Sequence, residues 1–185
     1  SVSIDVFQGM ARHYGVFYPM QTFSRQKRVS FEEIPCFIEG SGEEETDAIE
    51  ALASQLSHRV YRLSSEARKY LHLSAVFACN FVNHCYAISA ELLEKHGIPF
   101  DVMLPLIDET AAKVHQMLPK DAQTGPAVRY DENVIRAQSQ LLKNNPLVKD
   151  IYDRMSMNIH RLSEEFNSFT NHKVPSSKYD KLRFR

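Results

Sequence analysis

The 185 residues lack most of the short signatures that announce a chemistry. No GxGxxG occurs, so nothing in them cradles a pyrophosphate in the Rossmann manner. Walker and GxSxG motifs are also absent, which removes P-loop phosphoryl transfer and the hydrolase nucleophile elbow. His13, His58, His96, His115, His160 and His172 show neither HxxxH nor HxxE spacing, so no metal site is expected. The three cysteines, Cys36, Cys79 and Cys85, include no CxxC pair. Cys79 and Cys85 lie about 240° apart around a helix and cannot share a metal. All three read as reduced core thiols, which implies a cytoplasmic address.

Charge of one sign is missing too. A formal net charge of −1 draws the chain neither to nucleic acid nor to anionic lipid. The longest apolar stretch, Leu71 to Ala90, is interrupted by His72, Asn80, Asn83 and His84, which excludes an ordinary membrane span. No charged-then-apolar leader stands at the N-terminus.

What is present has the texture of a packed protein, with 43% hydrophobic and 24% charged residues. Residues 1–62 read as short strands with one helix. Gly15 to Met20 and Ile34 to Glu39 are compact apolar runs, the second opening on Pro35, where a missing N–H is tolerated. Gly40, Ser41 and Gly42 form a turn. Glu43, Glu44 and Glu45 then complement the dipole of a helix carrying Ala48, Ile49, Leu52, Ala53 and Leu56. Arg59 to Leu63 alternates like a short strand. Strand, strand, helix, strand is part of an α/β sheet.

From Ser64, a plausible N-cap, the pattern is helical. One helix runs to Lys95 and His96, where Gly97 and Pro99 stop it, about 31 residues or roughly 46 Å. Its middle is apolar on nearly every side, which predicts a helix buried all round. A second helix is expected from about Asp101 to Met117, ended by Pro119. After a loop over Lys120 to Tyr130, Asp131 caps a third that reaches about Lys143. A fourth covers about Leu147 to Phe166, and residues 167–185 form a basic tail. Three companions do not cover so long an apolar rod, so a second copy of the same helix is expected across a two-fold axis. The division predicted is a sheet part at 1–62, a helical substrate and dimerisation part at 63–166, and the tail.

The rod also holds the best candidates for chemistry. At 100° per residue, Asn83 sits about 20° and Asn80 about 80° from His72, so the three share one arc. Burying an unpartnered polar side chain costs roughly 1–3 kcal/mol. Either the arc lines an active site with His72 as acid/base, or its members bond loop backbones or the dimer mate. His84, about 120° away, reads as structural. Gln21 and Thr22 follow a strand end, where ligands gather in open α/β sheets. Their functional reading is substrate or nicotinamide contact, and their plain reading is a proline-shaped loop. Thr124-Gly125-Pro126 and Arg129 suit an anion at a helix start, and equally a helix entry capped by Asp131. Glu109 and Lys113 read as a solvated surface pair.

Taken in order, GVFYPMQTFS, IPCFIEG, YLHLSAVFACNFVNH, PLIDET and TGPAVRYD resemble a family of NAD(P)-dependent oxidoreductases whose C-terminal part is a domain of unknown function. The family is similar to pyrroline-carboxylate reductases, prephenate dehydrogenases and deazaflavin-dependent NADP oxidoreductases, and the resemblance covers residues 1–166. It implies a longer parent protein, with NADP or NAD bound mainly by an N-terminal Rossmann half. It also implies that the segment from Ser1 through Ser3 to Val6 lies beside the nicotinamide. Pro19-Met20 resembles the HPM strand end of prephenate dehydrogenases, with Tyr18 where relatives carry His. The Lys and Asn spaced by four in hydroxyacid relatives are missing, because Lys69 is followed there by Leu73 and His72 by Val76.

The fold expected is therefore mixed: the remnant of a Rossmann α/β sheet, then an all-α dimerisation domain on one long buried helix. The function expected is an oxidoreductase acting on a small polar metabolite. His72, Asn80 and Asn83 would be catalytic, and Gln21, Thr22, Thr124 and Arg129 would bind substrate. Ser1, Ser3, Pro19 and Met20 would contact the cofactor. The alternative is a non-catalytic dimerisation or nucleotide-sensing module.

Overall fold

The computed structural model describes residues 2–26 and 28–171, with side chains of residues 2–26 and 28–165. Ser1, Lys27 and residues 172–185, which include most of the expected tail, lie outside the described residues. The chain forms two compact units, Ser1–Tyr86 and Ala87–Arg185.

The first unit is built on three strands, β1 (Gly15–Pro19), β2 (Cys36–Gly40) and β3 (Val60–Arg62), in the order β1-β2-β3. β1 pairs antiparallel with β2, placing Tyr18 opposite Phe37 and Pro19 opposite Cys36. β2 and β3 are parallel, joined through helix α1 (Glu43–Ser54) as a βαβ crossover. These elements fall where the apolar runs and the Gly40–Gly42 turn predicted them. Gly15 is required by close approach, since an added Cβ would lie 2.4 Å from Ile49 Cδ1 and 2.5 Å from Glu39 O.

Strand alternation divides the sheet into two faces. Cys36 and Ile38 point one way and are fully buried, as is Ala53 of α1. Phe37 and Glu39 point the other way, and Phe37 stacks on Tyr61 of β3 at 5.4 Å. Tyr18, directly opposite Phe37, shares this second face. Ser57 ties the strand entries together, its hydroxyl donating to Ile34 O and accepting from Arg59 N.

Helix α2 (Ser65–Ala75) runs along the second face, capped by the Ser64 hydroxyl, which accepts from Ala67 N. Arg68 is 2% exposed. It donates to Glu39 Oε2 (2.6 Å), Ser65 Oγ (2.9 Å) and Val2 O (3.0 Å). Ser65 donates to the same carboxylate through its hydroxyl (2.6 Å) and its backbone N–H (2.8 Å), and its oxygen accepts from Ile4 N. One buried charge pair thus fastens strand, helix and N-terminal segment. Burial would raise the Glu39 carboxyl, but hydrogen bonds from Ser65 and Arg68 outweigh it and hold the group below its ordinary value.

The helical rod continues through a π turn (Val76–Phe81) into α3 (Val82–Glu94), and the boundary between the units falls within α3. Gly97, at φ 68°, closes it, with Ile98 N donating back to Leu93 O. The expected extent is correct. The expected all-round burial is not met in the single chain, where Arg68 alone is buried along α2, the π turn and α3. Tyr70, Leu73, Phe77 and Phe81 are exposed, because nothing in the sheet reaches that side of the helix. The cysteines also divide: Cys36 is buried, Cys85 intermediate and Cys79 exposed.

In the second unit a 3-10 turn (Phe100–Met103) leads into α4 (Leu104–Gln116), with Pro105 in its first turn and Glu109 and Lys113 3.9 Å apart on its surface. Pro119 follows the end of α4 but begins a short helix, α5 (Pro119–Ala122), inside the expected loop, because proline at a first helical position leaves no N–H to satisfy. Asp131 caps α6 (Glu132–Leu141), its carboxylate accepting from Val134 N. α7 (Pro146–Asn171) outruns the predicted end at Phe166 by five residues and begins with Asn145 Oδ1 accepting from Val148 N. No helix among the described residues is long and apolar enough to cross a membrane.

Two consequences of the Glu39–Arg68 pair are measurable by urea unfolding. Arg68→Met leaves a carboxylate unmatched and costs about 3 kcal/mol at pH 7, while adding Glu39→Gln to it recovers part of the loss. Glu39 has a lowered folded value, so its contribution is complete above the unfolded carboxylate range near about pH 4.3 and disappears as pH falls through the depressed value. Glu39→Gln therefore flattens the acid limb of the stability curve.

Candidate active site

Ser65, Arg68 and His72 recur at i, i+3 and i+7, so one stripe of α2 meets the sheet. The first two sit on Glu39 and the third on Tyr18. The Tyr18 hydroxyl lies 3.0 Å from His72 Nδ1, with the rings edge to face at 6.5 Å. Tyr18 is half-buried and His72 exposed. The contact opens into a groove of about 530 Å³, which lies within the size range of small-ligand clefts.

One wall of the groove is the end of β1. Met20 N donates to Pro35 O (2.8 Å), extending the ladder by one bond, and Gln21 N to Pro19 O (3.1 Å), so the chain turns at Met20. Gln21 Oε1 accepts from Thr22 N (2.8 Å), which leaves the Gln21 NH₂ as a donor. The other wall is helical and includes Ala75, Cys79 and Asn80. Among the described residues no Lys, Arg, Asp or Glu lines the groove, whose titratable groups are Tyr18, His72 and Cys79.

The groove lies beyond the carboxyl end of β1 alone. β2 and β3 run the opposite way and present their amino ends beside Pro19, which pairs with Cys36, itself paired with Val60.

The π turn revises the helical arc. Its i→i+5 pattern fits one extra residue into a turn and sets back everything beyond it by about 100°. Asn80 moves from about 80° to about 20° from His72, and Asn83 from about 20° to about 80°. Asn80 accordingly lines the groove, and Asn83, exposed on the rod, does not. Nothing in Val76 to Phe81, which holds neither proline nor glycine, marks this turn in the sequence.

The remaining expected residues scatter. Ser3 caps a 3-10 turn (Ile4–Phe7), where its oxygen accepts from Asp5 N, and is no part of the groove lining. Pro19 ends β1 without lining the groove, and Ser1 is outside the described residues. Thr124 and Arg129 belong to the second unit, both exposed. Their segment turns through Gly125 at φ 106° and ends at Tyr130, at φ 51°, which stacks on His160 at 4.3 Å. Tyr18 and the Glu39–Arg68 pair were missed as site-forming groups. Their signal was the two-residue alternation that puts Tyr18 and Glu39 on one face.

These residues fit one end of a nicotinamide dinucleotide and not the other. The neutral donors Gln21, Thr22 and Asn80 match a carboxamide. The Gly40-Ser41-Gly42 turn between β2 and α1 is no phosphate cradle. A Cβ on Gly40 would lie 2.7 Å from Thr46 Oγ1, and one on Gly42 would lie 2.7 Å from Glu45 Oε2. A hydroxyl and a carboxylate already occupy the space, and the carboxylate repels an anion.

A small mixed sheet of Rossmann type with one βαβ crossover, followed by a mostly helical part, defines the class of the protein. The chain belongs to the family described as a domain of unknown function (DUF2520), whose profile matches residues 34–159. It is similar to a putative NADP oxidoreductase of Bacteroides fragilis known from a crystal structure, with 58% identity and a TM-score of 0.83 over 87% of this chain. The chain spans 62% of that protein's length. A Thermotoga maritima crystal structure shares the fold at 21% identity and a TM-score of 0.72, covering 90% of this chain and 67% of the other. No curated protein matches.

The cysteines report on this geometry. A thiol reagent such as dithionitrobenzoate is expected to label Cys79 first in the native protein. Cys36, buried and with its thiol pushed upward by that burial, reacts only on unfolding. Equal rates for the two by peptide mapping would contradict the groove as described.

Proposed function

We propose that this chain is the substrate-handling part of an NAD(P)-dependent oxidoreductase acting on a small polar metabolite. The observation that carries the proposal is the Tyr18–His72 contact at the edge of a groove whose other polar groups are neutral donors. The kinship with the Bacteroides protein supports it. In this reading His72 handles the proton, and Gln21 and Asn80 orient the substrate beside the nicotinamide, with Thr22 and Met20 bordering it. A bound nicotinamide supplies or accepts the hydride. The diphosphate is assigned to residues outside these 185, since the one Gly-Ser-Gly turn is filled. Asn83 has no part in the groove, and Thr124 and Arg129 are not needed by it.

The test is a fluorescence titration of full-length protein with NADPH, where saturable binding is expected and its absence removes the proposal. His72→Ala is expected to lower turnover by about 100-fold with an unchanged melting temperature. Saturable binding with no turnover of any carbonyl or imine compound would favour the nucleotide-sensing alternative.

We also propose that the rod pairs with a second copy of the chain. Tyr70, Phe77, Leu73 and Phe81 are 66%, 61%, 51% and 49% exposed at successive turns, an apolar stripe that a monomer leaves in water. Sedimentation of the full-length protein is expected to give a dimer, and Phe77→Glu to give monomer. A wild-type monomer at micromolar concentration would overturn the pairing.

A further inference from the structure

We infer that Tyr18, rather than His72, is the group that gives its proton to the substrate, and that the substrate is an uncharged carbonyl compound. The inference rests on the oxidoreductase reading above and deepens it. Two observations carry it: an asymmetry in exposure between hydrogen-bonded partners, and the charge of the lining.

The Tyr18 hydroxyl and the His72 ring share one hydrogen bond, 3.0 Å between Oη and Nδ1. Tyr18 is the half-buried partner and His72 the exposed one. With Nδ1 carrying the hydrogen, His72 donates to the phenol oxygen and the phenol O–H is left to point into the groove. The exposed ring is placed to exchange protons with water through Nε2, and the shielded phenol to meet the substrate. His72 is thus a positioning and relay residue, and Tyr18 the catalytic acid. The second observation selects the substrate. A carboxylate or phosphate leaving water needs a cationic partner or several converging N–H groups. Among the described residues the lining has no lysine or arginine, and offers neutral amides and hydroxyls from Gln21, Thr22, Ser74 and Asn80. An aldehyde or ketone bearing hydroxyl groups fits that donor set.

The reaction balances without further components. The carbonyl carbon receives a hydride from reduced nicotinamide, which is oxidised by two electrons as the carbonyl is reduced to an alcohol. The carbonyl π pair becomes an O–H bond as the Tyr18 O–H bond breaks. The phenolate takes the Nδ1 proton of His72, Nε2 takes one from water, which leaves as hydroxide, and exchange with solvent returns the ring to its Nδ1–H form. In the oxidative direction each transfer reverses.

The test uses full-length protein with NADPH and two probes, glyceraldehyde as a neutral carbonyl and glyoxylate as an anionic one. Glyceraldehyde reduction is expected to exceed glyoxylate reduction at equal concentration, and Tyr18→Phe is expected to lower it by about 100-fold or more. NADPH affinity and melting temperature should stay unchanged. His72→Asn, which keeps an N–H donor toward the phenol, should retain more activity than His72→Ala. A readout independent of turnover is the ¹⁵N spectrum of the His72 ring, where Nδ1 is expected as the protonated nitrogen in the wild type and to lose that preference in Tyr18→Phe. Turnover by Tyr18→Phe within about threefold of wild type overturns the assignment. Preference for glyoxylate, or reduction of neither probe, overturns the substrate class, while saturable NADPH binding in the same sample leaves the oxidoreductase reading standing. Loss of NADPH binding as well removes both.

Discussion

A carboxylate drawn out of water on one face of a small sheet must be matched, and the match organises the first unit. Glu39 accepts from Arg68 and twice from Ser65. With Arg68 nearly inaccessible, the pair is costly to break although it contributes little beyond an apolar substitute. What it supplies is position. Because α2 is held at Ser65 and Arg68, the next residue on that stripe, His72, comes down over the strand neighbour of Phe37, which is Tyr18. The same guanidinium holds Val2 O, and Ser65 holds Ile4 N, so the N-terminal segment belongs to the same fastening.

The π turn is the second constraint, and it acts on register. A helix that stayed regular past Val76 would carry Asn83 toward the groove and turn Asn80 aside. The extra residue in the turn reverses the two. Phe77 and Phe81, four residues apart, meet edge to face at 5.0 Å on a side the single chain does not cover. One irregularity therefore fixes which asparagine enters the polar lining.

The charge of the groove separates this site from one built for an anion. Three cationic side chains of the first unit are committed elsewhere. Arg68 is locked on Glu39, and Arg62 is held by Glu43, Asp47 and Glu50 along α1, which raises its already high value. Lys69 pairs with Glu66 on the outer face of α2. Among the described residues the groove's polar lining is a phenol, an imidazole, a thiol and neutral amides and hydroxyls, a set suited to moving a proton in contact with an uncharged molecule.

Local chemistry alone determined where the elements lie. Apolar runs bounded by glycine and proline placed β1 and β2, and the alternation of Arg59 to Leu63 placed β3. Three glutamates, Ser64 and Asp131 marked helix starts, and Gly97 marked an end, because each acts on backbone groups within one turn of itself. The same reasoning put His72, Gln21 and Asn80 forward as candidates. Tertiary structure decided what local reasoning could not. It set β1 antiparallel to β2, chose Tyr18 as the partner of His72, placed Ser3 as a cap and left Asn83 exposed on α3. Those outcomes depend on pairings 54 residues apart for Tyr18 with His72 and 29 apart for Glu39 with Arg68, and on a helical irregularity that no residue type requires. Periodicity reports which side of a rod a residue occupies only while the period holds.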